Sequence, residues 1–471
     1  MLDLKNQLNC TLEKLKSKSE SFIYGNLFPV ILCLFALAFF IADLSMIGFG
    51  GLILIGCFIL IIYDDMTPTI PILFIIPMTM RDTSILWYEI YPYFIILPAG
   101  IALIINFIRF PFKSPKFDKL CWCFVAIILT SITGGLFTST FADFYKGIGF
   151  LLLSGVLPLV MHFVYDNKTK TPSKINLANY LCYSFVLSTC LACIQLVYAL
   201  IYNEFIPSTF PLPGGFCWAN SNHIANLIII AIPLLCYLML RLKNIIPALI
   251  TLVFLYVCLF FTKSEACFFI ALGFTPLIMY NLIKHSPKNN LKLIFSFISI
   301  CIFAFILVVT FYALFKREDL IKFLNNATSD SGRQKIYLFG LELFLKNPIF
   351  GSGIGYAINN ELDFYSGYFH STIVQVLATT GIIGFIPYVF LYIHRIKKIN
   401  KNCTLLGSYA LISFIMYSMY AIIDNGDFNV VLIYITLIIT IIDIANKKGD
   451  DFSLPLTSIN STTKLSNQFC K

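Results

Sequence analysis

Apolar runs of about 20 residues recur from Phe28 almost to the C-terminus, and short polar segments separate them. A helix needs about 20 mostly apolar residues to cross the hydrocarbon core of a membrane. Because unpaired backbone polar groups are costly in lipid, such runs must be helices rather than open sheet, and the alternation typical of an outer-membrane barrel does not occur. The pattern therefore predicts an all-α, polytopic transmembrane helix bundle of about 14 spans, with about 12 to 14 as the expected range.

The limits of the apolar runs give the limits of the spans. They lie at residues 28–43, 47–63, 67–80, 90–109, 119–138, 146–165, 177–201, 222–240, 244–262, 265–283, 293–315, 369–393, 404–423 and 428–445. The third span is short and contains three prolines, so we predict that it is broken or re-entrant. The predicted divisions are an N-terminal tail (1–21), helices 1–11 (22–315), a long outer loop (316–368), helices 12–14 (369–446) and a C-terminal tail (447–471).

The distribution of lysine and arginine orients the spans. If the N-terminus is cytoplasmic, 24 of the 33 Lys and Arg fall in the tails and in short cytoplasmic loops, as the positive-inside rule requires. The C-terminus is then cytoplasmic too. The chain is 58% apolar and only 12% charged, with a mean hydropathy of +0.84. Its net charge of +9 is therefore interpreted as an orienting charge and not as a nucleic-acid surface.

Nine basic residues remain on the outer side, where the orienting rule does not require them. They are Arg81, Lys146, Lys263, Lys316, Arg317, Lys322, Arg333, Lys335 and Lys346. Six of them lie in the 316–368 loop, and loops of this length are usually functional. Basic groups at one membrane face can converge on an anionic ligand. Contact with solvent or with lipid headgroups explains any single one of them equally well.

The outer loop contains a predicted helix from about Arg333 to Phe344. Ser, Asp and Ser at 329–331 can cap its N-terminus, and Asn347-Pro348 ends it. Its apolar residues recur at helical spacing: Ile336, Phe339, Leu343 and Phe344. Charged residues lie among them, which suits a helix in the membrane interface.

A glycine-rich segment, Gly351-Ser-Gly353-Ile-Gly355, follows the helix. Glycines at every second position allow backbone N–H groups to approach a ligand closely, although a plain flexible turn explains the pattern equally well. His370 then opens span 12, and two glycines further along that span permit close helix packing.

These residues resemble the signature of a known family, the O-antigen ligase and polymerase superfamily of bacterial surface-glycan assembly. The signature has Ser-Gly-Arg, an interfacial helix, an Asn-Pro segment followed by alternating glycines, and a His opening a transmembrane helix that contains Gly-x-x-Gly. The matching positions are Ser331-Gly332-Arg333, Asn347-Pro348-Ile349-Phe350-Gly351-x-Gly353-x-Gly355, His370-Ser371 and Gly381-x-x-Gly384. Order, spacing and place in the topology all agree over residues 329–394.

Two weaker likenesses lie upstream. Residues 215–223, which include Asn220 and His223, resemble the Gly-Phe-x-x-x-Asn segment that precedes a span in the family. Residues 262–266 resemble its Ser-Arg-Gly/Ala turn, but Glu265 stands where the arginine usually is. Lys263 therefore either replaces that arginine or pairs with Glu265.

The resemblance implies a glycosyltransferase of the bacterial cytoplasmic membrane. Such an enzyme takes a glycan from a polyprenyl (undecaprenyl) diphosphate carrier and passes it to an acceptor hydroxyl, a reaction expected here on the outer face among membrane lipids. A preorganised cation stabilises the charge that grows on the diphosphate as the bond breaks, and Arg333 is expected to make a bidentate contact there. The other expected diphosphate contacts are Lys146, Lys263, Arg81, Lys335, Gly351, Gly353 and Gly355.

His370 is expected either to accept the proton of the acceptor hydroxyl or to donate a hydrogen bond to a diphosphate oxygen. The ordinary pKa of histidine, about 6.5, suits proton transfer at neutral pH. Asp424 and Asp427 stand where the family often has an acidic residue, so they are expected to orient His370 or to bind acceptor hydroxyls. Asn220 and His223 are further candidates for these roles. The outer carboxylates are too scattered for a magnesium site, and no nucleotide-binding motif occurs, so neither a metal nor a cofactor is expected.

The acceptor stays open at this point. A ligase transfers the glycan to lipid A–core, a polymerase to another lipid-linked repeat unit, and a protein-glycosylating relative to Ser or Thr. We favour the ligase because the arginine and histidine motifs are both well formed. A flippase or secondary transporter is the alternative from another class, but no internal repeat occurs and a long outer loop favours an enzyme.

Overall fold

The computed structural model of the protein describes residues 2–79, 91–135, 147–149, 151–170, 176–202, 221–242, 244–262, 264–286, 291–296, 298, 299, 302, 333–353, 369–402, 404–424 and 426–449. These residues form helices and the turns between them, and no strand occurs among them. The prediction of an all-α fold is confirmed.

The α-helices follow one another along the described segments. They are α1 (Leu2–Ile23), α2 (Leu27–Ile41), α3 (Ser45–Ile62), α4 (Ile70–Ile75), α5 (Tyr91–Arg109), α6 (Lys119–Gly135), α7 (Leu157–Lys168), α8 (Leu177–Tyr202), α9 (Ser221–Arg241), α10 (Ile246–Phe261), α11 (Glu265–His285), α12 (Arg333–Lys346), α13 (Thr372–Ile399), α14 (Leu405–Ile423) and α15 (Val430–Lys448). A π-helical turn, Leu152–Val156, leads into α7.

Seven helices within the described segments are long and apolar enough to cross a membrane, and the number rises to eight if the bent pair α1–α2 forms one span. Shorter apolar helices lie at Thr67–Thr79, Leu97–Arg109, Lys119–Thr133 and Ile246–Phe261. The protein is thus a multi-pass membrane protein by the length and composition of its helices. The count of about 14 spans stays a prediction.

The two N-terminal helices meet at a sharp angle. Residues predicted as a polar tail form α1, which is bent by 85° from the apolar helix α2. Tyr24, in the bend, donates a hydrogen bond to Asp65 Oδ2 over 2.8 Å, which ties the bend to the end of α3. By length and composition, such a bent pair is either a broken span or a re-entrant loop.

The proline-rich third span is not a regular helix. Residues Thr67–Thr69 and Ile76–Thr79 form 3₁₀ turns on either side of the short helix α4. The prolines remove backbone donors and disfavour a continuous helix, as the sequence predicts.

The chain divides into two compact units. The first contains residues 1–116, 163–264 and 440–471, and the second contains 117–162 and 265–439. Within the first unit, α9 is buried from Ile224 to Leu240 and packs on α8 and α10. The second unit contains the described part of the glycine and histidine motifs.

Helix α13 is the centre of the second unit. Its residues Val376, Tyr388 and Leu391 form a buried cluster with Phe124 of α6 and Phe428. Helix α12 packs on the N-terminal part of α13, and Ile336 and Leu343 of α12 form a cluster there with Phe369 and Ala378. Three of the four apolar positions that the sequence indicates in α12, Ile336, Phe339 and Leu343, therefore contact protein. Leu338, Leu341 and Leu345 stay exposed on the same helix. An exposed apolar face of this kind suits a helix in contact with lipid.

A break interrupts α13 at Gly381, whose φ of 64° and ψ of −164° are not helical. In an unbroken α-helix, the amides of Ile382 and Ile383 would donate to the carbonyls of Ala378 and Thr379. Here the amides donate instead to Pro348 (2.9 Å) and Ile349 (3.3 Å). The two orphaned carbonyls accept from the amides of Ser352 (2.8 Å) and Gly353 (3.0 Å). The 348–353 loop thus supplies new partners for the two amides and the two carbonyls that lost their helical hydrogen bonds.

Two glycines permit this close approach of backbone to backbone. A Cβ on Gly351 would lie 2.3 Å from the carbonyl carbon of Thr379, and a Cβ on Gly381 would lie 2.3 Å from the carbonyl oxygen of Ile349. Both glycines also have a positive φ, +71° and +64°, which L side chains rarely adopt. The packing role predicted for Gly381 is therefore wrong in its detail, because its close neighbour is the loop rather than another helix.

The first prediction concerns the contact between the 348–353 loop and the break in α13 at Gly381, which we call the joint. Gly351→Ala and Gly381→Ala should each lower the free energy of unfolding by about 2–4 kcal/mol, because each adds left-handed strain to a backbone clash. The measurement is denaturant or thermal unfolding of the purified protein in detergent. Gly273→Ala is the matched control in α11, since a Cβ there meets nothing within 4 Å, and it should be neutral or raise stability by up to about 1 kcal/mol. Equal effects at all three glycines would contradict the proposed joint.

Candidate functional site

His370 stands at the entry to α13 with an unusual backbone conformation. Its φ is +49°, in the left-handed region that non-glycine residues seldom occupy. Neighbouring groups hold it there: the amide of Phe369 donates to Gln375 Oε1 over 3.0 Å, and Ser371 caps α13 by accepting from the amide of Val374. Such strain persists only where the surroundings over-determine it, and it concentrates at functional sites.

The ring of His370 is paired with Asp424, which ends α14. His370 Nδ1 lies 3.3 Å from Asp424 Oδ1, and the two side chains are 30% and 15% exposed. The other carboxylate oxygen accepts a hydrogen bond from the Tyr420 hydroxyl over 3.0 Å. Because an ionised carboxylate can only accept, Nδ1 must carry the proton, and Nε2 is then the basic nitrogen of a neutral ring. The sequence left Asp424 and Asp427 as alternatives, and the geometry brings Asp424 to His370.

Asp427 has a different environment, although it is only three residues away. It lies in a 3₁₀ turn, Gly426–Phe428, and is fully buried. Its carboxylate accepts hydrogen bonds from Tyr417 (2.8 Å) and Tyr392 (2.5 Å) and forms an ion pair with Arg395 (3.4 Å). An acceptor-binding role for Asp427 is therefore not supported, because its oxygens are already used inside the protein.

The Asp427 network explains how the kinked helix is held. Its amide donates to Thr372 Oγ1 over 3.4 Å, while its carboxylate contacts Tyr392 and Arg395 at the other end of α13. In a straight helix, Thr372 and Tyr392 would lie about 30 Å apart. One aspartate can contact both because α13 bends at Gly381.

Arg395 is one of the 24 basic residues that the orienting rule assigns to the cytoplasmic side. Its side chain is only 1% exposed, and it also lies 3.4 Å from Thr436 Oγ1. The sequence does not indicate this burial, because a charge near the end of an apolar run has the same sequence signature whether it is solvated or paired. Ionisable groups buried in a membrane bundle are paired with one another as a rule.

The amides of the glycine-rich loop were predicted to contact a diphosphate. The amide of Gly351 donates to Asn347 O over 2.9 Å, and the amide of Gly353 donates to Thr379 O over 3.0 Å. The amide of Gly353 is thus used in the contact with α13, and that of Gly351 closes the turn that starts at Asn347. The diphosphate contact of these glycines stays a prediction.

For most of the other predicted site residues, the side chain lies outside the described part of the structure. Arg333 is the first residue of α12, but its side chain lies outside the described residues, as do Arg81, Lys146, Lys263, Asn220 and Gly355. Lys335 is exposed on α12. His223 is partly exposed near the start of α9, in the first unit. Of the candidates whose side chains are described, His370 and Asp424 come together.

Two tyrosines of the site carry no functional signal in the sequence. Tyr420 contacts Asp424, and Tyr337 of α12 reaches the backbone beside both members of the pair. Both stand in apolar stretches, where an aromatic residue is normally interpreted as core. The only available signal is that the hydroxyl of a buried tyrosine usually finds a hydrogen-bond partner.

One group with metal-ligand chemistry occurs among the described residues, formed by Asp118, Cys121 and His162. Asp118 caps α6 by accepting from the amide of Cys121 (3.1 Å), and it also contacts His162 Nε2 (3.1 Å) and Lys398 Nζ (2.7 Å). Burial alone would raise the pKa of Asp118, but His162 and Lys398 lower it well below its ordinary value. Since a lysine ammonium already neutralises the carboxylate, these residues form an ionic helix cap rather than a metal centre.

The fold and the site together define a multi-pass helical membrane protein with a histidine–aspartate pair beside a kinked helix. Comparison with known families gives one match: the O-antigen ligase family model covers residues 248–389. The match confirms the resemblance to the O-antigen ligase and polymerase superfamily and indicates a membrane enzyme of that type. It includes α12, the glycine-rich loop, His370 and the break at Gly381, whereas Asp424 and Asp427 lie beyond it. No curated protein matches the chain.

The second prediction concerns the buried ion pair. Asp427→Ala should lower the free energy of unfolding by about 3–5 kcal/mol, because it leaves Arg395 buried without a counter-charge. The comparison is Lys170→Ala, which removes a 56%-exposed partner of Asp64 and should cost about 0–1 kcal/mol. Arg395→Met combined with Asp427→Leu should recover much of the loss. A cost for Asp427→Ala no larger than that of Lys170→Ala would contradict a structural ion pair here.

Proposed function

We propose that the protein is a glycosyltransferase of the O-antigen ligase type. It transfers a glycan from a polyprenyl (undecaprenyl) diphosphate carrier to an acceptor hydroxyl on the outer face of the bacterial cytoplasmic membrane. The observation that carries the proposal is the His370–Asp424 pair, whose histidine lies inside the segment that matches the O-antigen ligase family. Partial exposure of both side chains allows a substrate to reach them.

In the proposed reaction, His370 acts as a general base. Asp424 holds the proton on Nδ1, so Nε2 accepts the proton of the acceptor hydroxyl as its oxygen attacks the anomeric carbon. The bond between that carbon and the diphosphate oxygen breaks, and the diphosphate leaves with the electron pair. Such a single displacement inverts the configuration at the anomeric carbon.

Arg333 is proposed to stabilise the leaving diphosphate. The negative charge on the diphosphate grows in the transition state, and a guanidinium can contact two of its oxygens at once. Arg333 stands four residues before Tyr337, so the two positions share one face of α12, and Tyr337 reaches the backbone of His370. Lys335 and Lys146, which belong to the same unit, are proposed to add positive charge for the same anion.

Two other functions remain as outcomes of experiment. A repeat-unit polymerase uses the same donor chemistry and differs only in its acceptor. A glycolipid flippase would use the same lipid without needing a base. The pairing of a histidine with a carboxylate favours an enzyme over a flippase, because the carboxylate fixes the tautomer that a general base needs, whereas lipid translocation needs no general base.

The third prediction tests the base. His370→Ala should lower the rate of glycan transfer by about 10²–10⁴-fold, the usual contribution of a general base. Asp424→Asn should also lower the rate, by about tenfold or more, because an amide NH₂ beside Nδ1 favours the wrong tautomer. The assay uses purified protein, a lipid-linked donor and an acceptor. His394→Ala, at the far end of α13 where Nδ1 contacts only Phe390 O at 2.7 Å, should leave the rate unchanged.

The fourth prediction tests the anion contact. Arg333→Ala should lower the transfer rate by about 10²–10³-fold, and Arg333→Lys should restore part of it. Lys346→Ala removes one charge from the last turn of the same helix and should have little effect. If both substitutions acted equally, general surface charge rather than a defined contact would explain the result.

The same assay separates the competing functions. Transfer to a lipid A–core acceptor with a single product supports the ligase. A ladder of lengthening lipid-linked glycan would instead identify a polymerase. If His370→Ala and Arg333→Ala left glycan transfer intact while lipid translocation in reconstituted vesicles failed, the enzyme proposal would be overturned.

A further inference from the structure

The hydroxyl of Tyr337 lies between two backbone carbonyls from distant parts of the chain. It is 2.9 Å from the carbonyl oxygen of His370 and 3.0 Å from that of Ile423. A phenol has one proton, so the two carbonyls share a single donor. The hydroxyl is therefore placed where it fixes the distance between these two points of the backbone.

Both carbonyls belong to the candidate catalytic pair. One is the carbonyl of His370 itself, the residue with the left-handed backbone. The other precedes Asp424 directly, at the C-terminus of α14. The Nδ1–Oδ1 distance of 3.3 Å is already near the upper limit for a hydrogen bond, so a small displacement of either segment would break it.

The position of Tyr337 is itself fixed by the packing of α12. A Cβ added at Gly340 would lie 2.4 Å from Val374 and 2.7 Å from Phe369, so α12 and the entry to α13 are in close contact there. Ile336, beside Tyr337 in sequence, is 3% exposed in the same cluster. The aromatic ring of Phe339 stacks on the ring of Phe369, with 6.4 Å between the ring centres. Phe369 is the residue directly before His370.

We propose that Tyr337 is a positioning residue of the transfer reaction. Its hydroxyl sets the geometry between His370 and Asp424 and couples that geometry to α12, the helix that begins at Arg333. The proposal rests on the proposed function, in which His370 is the base. A movement of α12 when the lipid diphosphate binds would then be transmitted to the base through one hydrogen-bond donor.

The experiment uses Tyr337→Phe in the full-length protein, because phenylalanine keeps the ring and removes only the hydroxyl. The turnover number kcat should fall about ten- to a hundredfold, the scale on which misplacement of a catalytic group acts. The KM for the lipid-linked donor should stay unchanged. Tyr280→Phe, a 61%-exposed tyrosine of α11, is the matched control and should alter neither constant. The melting temperatures of both variants establish that each is folded.

A double-mutant cycle distinguishes positioning from general stability. If Tyr337 acts through His370, adding Tyr337→Phe to His370→Ala should cause no further loss of the residual transfer rate. A further tenfold loss in the double variant would overturn the proposal, and so would a Tyr337→Phe variant with full kcat. Full transfer by His370→Ala alone would instead overturn the proposed function, so the two failures are distinguishable.

Discussion

Four backbone hydrogen bonds between the 348–353 loop and α13 hold a helix open at Gly381. In an apolar environment a peptide group without a partner costs several kcal/mol, so a broken helix survives there only if other groups satisfy the break. The loop supplies two carbonyls to the amides that lost their partners and two amides to the carbonyls that lost theirs. Because Gly351 and Gly381 have no side chains, the two backbones can come close enough for these bonds to form.

The bend that results determines where the chemistry lies. With α13 kinked, Thr372 from one half and Tyr392 from the other contact the same residue, Asp427, and Arg395 neutralises its buried charge. The 3₁₀ turn that contains Asp427 starts at Gly426, whose amide donates to Asp424 O over 3.0 Å, so the buried network also fixes the end of α14, where Asp424 faces His370. The structural aspartate and the candidate functional one are thus three residues apart and have opposite environments.

Local patterns in the sequence predicted where several helices begin, end or break, but they did not predict which residues contact one another. The helix from Arg333, its end before Asn347-Pro348 and the broken third span all follow from periodicity and proline chemistry. The contact between Gly351 and Gly381 does not, because glycine spacing permits a ligand cradle, a flexible turn or a backbone joint equally. The choice between Asp424 and Asp427 also required the structure, since Asp424 ends α14 and Asp427 lies in the 3₁₀ turn that follows, so their side chains face different surroundings. The sequence does not indicate the contacts of the Tyr337 hydroxyl, because a tyrosine among apolar residues of a helix is normally interpreted as core.

The joint at Gly381 also limits how this protein can be recombined with its relatives. Each partner contributes only main-chain atoms to the four bonds, so the two segments recognise each other by the path of the backbone rather than by matching side chains. A chimera that exchanges the 347–353 loop alone must reproduce that path against a foreign helix, whereas one that exchanges 333–399 as a block carries both sides of the joint with it. The natural unit of exchange in this chain is therefore a helix, a loop and a broken helix together, which is larger than any single motif along it.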